Sequence, residues 1–481
     1  MAHLESDNAV LTEGFHWAAE KTRQFVMTGK TGPINDGRLP DRPYIPSYWA
    51  GYYHRTAFYI RDFVHQAIGA QLTGLTEENY RMLQAFARSA TAQRKWYALW
   101  ALNFDGTPYD IDYKSDQRFV REVPAQFELV EAAWRLYQWS GDRRYLADDI
   151  FEFCTRTMTD FVSLHDSNGN GIPEGTGGSI FDGICTYNEH PGRPLLEAGD
   201  AVGAQYQAML AYAGLCRARG DGNAFRLWEE KAARLKDYFN DDWSILPEDP
   251  EGPYVRALAI DGVTRYNDYG HENSWFMPLK QLTRPGKRND AYLDFITRSL
   301  GSGIGSAQAP TNIEAYTYLP QLFFLYDRNE EAWKWMRYIY SVRDLPHEVA
   351  AQGTNGSYPE ISFTFVDHVV EGLMGLSADV GSRSLTTLSR LPDEIGYAAL
   401  CDQVVGESRI SVTHHGRRRT CLRNQSGAPL LWTACFPGEH REILVDNRRF
   451  PAQRLEICGV PLSAAELPVE PGQEVRAELS L

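Results

Sequence analysis

Connections between the helical segments of this chain alternate in length, and this alternation limits the fold more than any other feature. Up to about residue 376 apolar residues recur at helical spacing; Val130, Ala133, Trp134 and Tyr137 make one i, i+3, i+4, i+7 stripe. The pattern predicts about a dozen helices, near 8–28, 56–72, 77–92, 123–139, 143–160, 199–219, 222–240, 274–283, 288–300, 311–326, 328–341 and 363–375. Every second connection is short and polar, as in SGDRR (140–144) and ARGDG (218–222). The six others, 29–55, 93–122, 161–198, 241–273, 301–310 and 342–362, are long and rich in Gly, Pro, Tyr and acids. Hairpins joined in this way predict a mainly α fold, an (α/α)6 toroid with alternating inner and outer helices and every long loop on one rim. Helix counting alone carries the expectation, because no repeat is visible in the sequence.

Beyond residue 376 the pattern changes to short alternating runs, ISVTHHG, RTCLRNQ, LLWTACF, REILVD and VRAELSL, separated by QSG, PGE and DNR. Period-two runs between turn signals predict a small antiparallel β-sandwich. The expected organisation is therefore a catalytic domain over 1–376 and a sandwich over 377–481, with SADVGSRSLTTLSRLPDEIG as the connection.

A chain of 481 residues can bury the core that two such domains need. Its net charge of −15 excludes a nucleic-acid binder that works by counterion release, since no basic stripe is present. No run of about 18 apolar residues predicts a membrane span. MAHLESDNAV has neither the basic nor the apolar region of a secretory signal, and the expected location is cytoplasmic. Seven scattered cysteines without CxxC pairing fit free buried thiols better than zinc ligands or a disulfide framework. No cofactor or metal is expected, and assembly with further copies of the chain stays open.

Loops that share a rim bring their acids together. They carry GYYHRTAFYIRD (51–62), NFDGTPYDIDYKSD (103–116), YNDYGHENSWF (266–276), NIEAY (312–316) and LPHEVAAQGTNGSYPEISFTF (345–365). Carboxylates interleaved with rings and amides suit a sugar, whose faces stack on rings and whose hydroxyls take hydrogen bonds. Single acids on loops are usually just solvated, and Arg61 with Asp62 also reads as a structural ion pair. His54, His271 and His347 read as hydrogen-bonding groups, because no HxH or HExxH spacing accompanies them.

The stretch DSNGNGIPEGTGGSIFDG (166–183) begins like a calcium loop, with Asp166, Asn168, Asn170 and Gly171 in register. Position twelve is Gly177, however, and Asp166 is the single charge among the early ligands. A tight Asn/Gly turn is the better reading. It would deliver Asp182, flanked by Ile180 and Phe181, into an apolar pocket that raises its pKa as a general acid requires.

Three motifs together resemble the six-hairpin glycosidases, among them trehalases, processing α-glucosidases and α-L-rhamnosidases. They are AFYIRDF (57–63), the turn DSNGNGIPEG followed by Phe181–Asp182, and the helix GDAVGAQYQAMLAY (199–212). The resemblance covers most of residues 45–376 and implies an inverting glycoside hydrolase with two carboxyl groups. The long rim loops and the missing secretory signal favour a pocket over a groove, and so an exo-acting enzyme on a short oligosaccharide or glycoside. The resemblance implies Asp182 as general acid, with Glu189 the alternative, and Glu360 as general base, with Glu348 next. Such a pair stands roughly 6.5–9.5 Å apart to admit a water. Tyr53, Tyr187, Trp275 and Tyr316 would stack on sugar rings, while Arg61, Asp62, His54, His271 and Glu272 would hold hydroxyls. Arg193 or Arg61 would instead pair with a carboxylate if the substrate is a uronic acid. A polysaccharide lyase or sugar epimerase on the same toroid, and a non-catalytic carbohydrate-binding protein, are the competing readings.

Overall fold

The structure is a computed structural model describing residues 2–35, 40–176, 178–189 and 192–480. Its helices are, in order, α1 (Ala9–Gln24), α2 (Ile60–Leu72), α3 (Thr76–Ser89), α4 (Val123–Ser140), α5 (Asp148–Arg156), α6 (Val162–His165), α7 (Gly199–Ala218) and α8 (Gly222–Tyr238), followed by α9 (Glu272–Leu279), α10 (Lys287–Leu300), α11 (Leu319–Leu325), α12 (Asn329–Ser341) and α13 (Pro359–Asp367). The short connections are cap motifs. Gly141 closes α4 at φ 67°, a left-handed conformation that glycine adopts without strain, and its N–H donates to Tyr137 O at 2.7 Å. Asp221 then opens α8, accepting from the amides of Asn223 and Ala224 at 3.1 and 2.9 Å.

Six of these helices form a closed circuit. α2 packs on α4, α4 on α7, α7 on α9 and α9 on α11; α11 packs on the π-helical turn His368–Leu373 that prolongs α13, and α13 returns to α2. At that closure a Cβ on Gly69 would stand 2.0 Å from the Phe363 carbonyl oxygen, so only glycine lets the first and last inner helices meet. α7 is buried on nearly all sides, as an inner helix must be. α1, α3, α8, α10 and α12 pack outside, each with one exposed face, and the run α5–Thr157–Phe161–α6 takes the remaining outer place.

The last inner helix departs from expectation in a way that matters for the site. Its periodic pattern predicts a start near 363, but α13 begins at Pro359. A proline suits the first helical position, where its missing N–H is not needed. Glu360 therefore sits in the first helical turn and not in a loop. The long connections are also pinned. Ala57–Tyr59 pairs antiparallel with Ala101–Asn103, and Leu195–Ala198 pairs with Ala257–Ala259, which in turn pairs with Arg265–Tyr266.

The C-terminal region is β-rich, in two sheets. One holds Tyr397–Val405, Ser408–His415, Arg419–Ser426, Glu474–Leu479, Glu442–Val445 and Arg448–Pro451, with His3–Ser6 from the other end of the chain on its edge. The other is built from Ser377–Asp379, Ser384–Leu388, Leu430–Pro437, Val460–Val469 and Gln453–Ile457. Two expectations are corrected here. The segment expected as a plain connection supplies two strands, and Ser384–Leu388 pairs parallel to Leu430–Pro437, so the sheets are not wholly antiparallel. Ile410, Leu422, Trp432 and Leu467 join the same continuous core as the helices. All seven cysteines are free thiols. Among the described residues no helix is long and apolar enough to cross a membrane.

Candidate active site

Each inner helix opens on an acid: Asp62 in α2, Glu122 at the cap of α4, Asp200 in α7, Glu272 in α9, Glu314 in the 3-10 turn Glu314–Tyr318 that leads into α11, and Glu360 in α13. A helix N-terminus favours a carboxylate by about 0.3–1 kcal/mol, which makes these positions tolerant of acids. Two of the six serve the scaffold. Asp200 accepts from Thr186 Oγ1 at 2.9 Å and Tyr187 N at 2.7 Å, fixing the loop before α7. Glu122 accepts from Trp100 Nε1 at 2.8 Å.

The other four line a cavity of about 120 Å³ at the mouth of the ring. Asp62, Glu272, Glu314 and Glu360 are joined there by Glu189, from the long loop before α7. Arg55 and Arg61 are the cations on this wall, and the rings are those of Tyr52, Tyr59, Trp100, Tyr318 and Tyr358. Both arginines are already engaged. Arg61 Nη1 donates to Tyr187 O at 2.8 Å and Arg55 Nη1 to Tyr59 Oη at 2.9 Å. His347 receives the Val349 N–H on Nδ1, which leaves the Nε2 proton facing Glu314 Oε1 at 3.1 Å. The other oxygen of Glu314 is buried without a protein partner, an acceptor available to a hydroxyl.

Burial dominates the protonation of the deepest acids. It pushes Glu360 up to about 8, reinforced by Glu314 and opposed by a 2.7 Å bond from Thr317 and by the Arg61 charge. Asp62 is pushed up to about 7 by burial and by Glu360, against a bond from the Tyr358 hydroxyl and the Arg61 charge. A displacement of three pH units is several kcal/mol, well above what a helix N-terminus supplies, so burial wins. Behind Glu360, His65 Nδ1 stands 2.9 Å from its Oε1, and burial lowers this imidazole to about 3. A protonated Glu360 beside a neutral His65 is the arrangement these values describe. The His65 ring stacks on Tyr318 with centroids 3.7 Å apart.

Five candidate residues from the sequence line the cavity: Arg61, Asp62, Glu189, Glu272 and Glu360. The others do not. Asp182 is exposed and accepts from Ser179 Oγ at 2.9 Å, so no apolar pocket surrounds it and it does not meet Glu360. Glu348 is also exposed, off the wall but close enough for its charge to help raise the Tyr52 phenol, behind burial and the charges of Glu314 and Asp62. Tyr187, Trp275 and Tyr316 are wholly buried and cannot stack on a sugar: the Tyr187 hydroxyl bonds Glu128, and that of Tyr316 donates to Pro310 O at 2.8 Å. Tyr53 is exposed and packs on Trp49 with centroids 4.5 Å apart. His54 lies against Tyr52 outside the wall, and His271, at φ 51°, bonds the Gln308 carbonyl at 3.2 Å as it turns the chain into α9. Arg193 is exposed over the Tyr266 ring.

Sequence reasoning missed Tyr52, Arg55, Trp100, Glu314, Tyr318 and Tyr358. The usable signal was an acid in or beside the first turn leading into each inner helix, which Glu314 satisfies at the start of the 3-10 turn before α11. The opening of the third long loop is the turn expected: Asp166 accepts from the amides of Gly169, Asn170 and Gly171 at 2.8, 3.1 and 2.8 Å. Asn168 and Asn170 both donate to Glu197 at 2.8 Å. Gly177, at the twelfth position, lies outside the described residues.

A ring of inner helices with its acids at one mouth and a β-rich region after it is matched among solved structures. Three are similar over most of this chain. The GH78 family rhamnosidase of Bacillus sp. GL1 has TM-score 0.62 at 12% identity, covering 86% of this chain and 40% of that one. The α-L-rhamnosidase from Dictyoglumus thermophilum has TM-score 0.57 at 14% identity, covering 99% and 50%. The fold is the one these two structures share. The α-L-rhamnosidase from Aspergillus terreus is similar at TM-score 0.54 and 12% identity, covering 98% and 50%. The chain thus spans half or less of the length of each. No family model matches the sequence, and neither does any curated protein.

Proposed function

We propose that the chain hydrolyses a glycosidic bond at the end of a short oligosaccharide or glycoside, by inversion, with Glu360 as proton donor and Glu189 as the base that activates water. The observation that carries this reading is a single narrow cavity, about 120 Å³, ringed by five carboxyl groups, of which burial holds Glu360 and Asp62 protonated near neutral pH. A donor must keep its proton until the leaving oxygen needs it, and a base must be ionised and reach water. Glu360 fits the first requirement, so the role expected for it is exchanged. Glu189 is only half-buried and comes from the opposite side of the ring, which fits the second. An end pocket in place of a groove favours chain ends.

Five carboxyl groups against two engaged arginines favour a neutral sugar over a uronic acid. Trp100 and Tyr52 supply the flat faces. The six-hairpin fold, shared with proteins described as rhamnosidases, is in accord with glycoside hydrolysis and adds nothing about which sugar is cut.

The test is a screen of aryl glycosides and disaccharides, followed by NMR of the first-formed anomer and the variants Glu360→Gln and Glu189→Gln. Loss of the donor or the base lowers kcat/KM by roughly 10²–10⁴. The Glu360→Gln loss shrinks on aryl glycosides with good leaving groups, and azide restores turnover to Glu189→Gln alone. A retained anomer, or full activity in both variants, would overturn the mechanism. A product with a new double bond would assign the cavity to elimination.

A further inference from the structure

The ring encloses a second and larger space. A chamber of about 410 Å³ occupies the far end of the bore, bounded by the later turns of the inner helices and floored by the β-rich region at Thr386, Leu388 and Cys435. Tyr318 lines both spaces and, with His65 stacked on it, is part of the partition between them. We propose that this chamber is a second binding site, for one neutral sugar or similar polyol.

Its chemistry is that of a built site and not of a packing defect. Asp367 and His368 are 7% and 3% exposed, both line the chamber, and Asp367 Oδ1 and His368 Nδ1 have no protein partner. Buried polar atoms are nearly always paired, and two adjacent orphans on one wall mark acceptors for a ligand's hydroxyl protons. The acids and the lysine nearest them are paired. Lys280 bridges Glu128 and Glu131 at 2.6 and 2.7 Å, while Glu371 is held by Arg135 and by Trp139 Nε1 at 2.6 Å. Arg390, also on the wall, gives Nη1 to the Glu371 and Gly372 carbonyls at 3.1 and 3.2 Å, so Lys280, Arg135 and Arg390 stand against Glu128, Glu131 and Glu371, a balance of charge that favours a neutral guest. Partly exposed Gln138 and Gln321 offer both donors and acceptors, and partly exposed Trp134 offers a flat apolar face. That mixture is what a pyranose presents in reverse. The volume lies within the roughly 300–1,000 Å³ of small-molecule sites, whereas the rim cavity falls below it. Exposed Ser377 and Ile457 at the edge give a way in from the side of the β-rich region.

Calorimetric titration of the full chain tests the proposal, with D-glucose, D-mannose, D-galactose and L-rhamnose as probes and D-glucuronate and D-glucosamine as charged comparators. At least one neutral sugar binds. Asp367→Asn, which turns an acceptor into a donor, and Gln321→Trp, which fills the chamber, each weaken that binding tenfold or more. Glu272→Gln, on the rim wall, leaves it unchanged. Gln321→Trp keeps the test decisive if Asp367→Asn does not fold. Failure of all four neutral sugars to bind, tighter binding of either charged comparator, or binding lost in Glu272→Gln but kept in both chamber variants would overturn the proposal. The chamber and the rim reading fail separately, since hydrolysis is read from turnover and the chamber from titration of the two sets of variants.

Discussion

Replacing Glu360 by glutamine should inactivate the protein and, above neutral pH, stabilise it. In the unfolded chain this carboxyl gives up its proton near 4.5, but in the folded chain burial holds it to about 8. Between those values the native state binds more protons than the unfolded state, so stability falls with rising pH, by up to 1.36 kcal/mol per pH unit. The loss is absent below 4.5 and complete above 8, where it reaches roughly 5 kcal/mol as a ceiling. Glutamine keeps an oxygen for the Thr317 hydroxyl at the position that now receives it at 2.7 Å, and it has no proton to lose. At about 2.1 cal/mol/K per residue, a chain of 481 residues shifts by about 1 °C per kcal/mol. Calorimetric melting from pH 4 to 9 should therefore show Glu360→Gln level with the parent at pH 4 and several degrees above it at pH 9, with a flatter profile between. A variant that melts lower than the parent at pH 9, with an unchanged slope from 5 to 8, would refute the argument that burial holds the proton on Glu360.

Other consequences are simpler to read. Arg61 depresses both Glu360 and Asp62, so Arg61→Gln should move the alkaline limb of the kcat/KM profile to higher pH. Gly69→Ala forces a Cβ against the Phe363 carbonyl and should cost about 3 kcal/mol, visible as a lower Tm, with Ala at exposed Gly220 as the control for backbone strain. Asp166 gives both its oxygens to backbone amides, so neither EDTA nor added calcium should change Tm. Leu4, fully buried on the edge strand, should cost roughly 2–5 kcal/mol when truncated to alanine, measured by urea unfolding.

The scaffold was legible because it is written in local terms. Helical periodicity marks the inner and outer elements, and Gly141 and Asp221 mark their hairpins as caps. The site was legible only by region. Asp182 and Glu189 are seven residues apart in one loop, with equal local claims, and the side of the turn that faces the bore depends on Asp200, which anchors the loop at Thr186 and Tyr187. Trp275 and Tyr316 fall near the starts of predicted helices, beside the rim, yet both side chains turn into the core, which helical periodicity over so few residues does not decide. Glu360 was placed in a loop because its helix starts at a proline. The edge strand His3–Ser6 had no signal, since four residues carry too little alternation to distinguish a strand from a tail.

That edge strand ties the order of folding to the order of synthesis. Leu4 pairs with Leu400, so His3–Ser6 has no partner until a strand almost 400 residues further along has emerged. Loop closure over that span is entropically costly and comes late. The early strand must wait as a bare edge, and α1 behind it cannot be fully seated until the sheet arrives. A protease cut between the ring and the sheets would then loosen His3–Ser6 and α1 as well as the sheets.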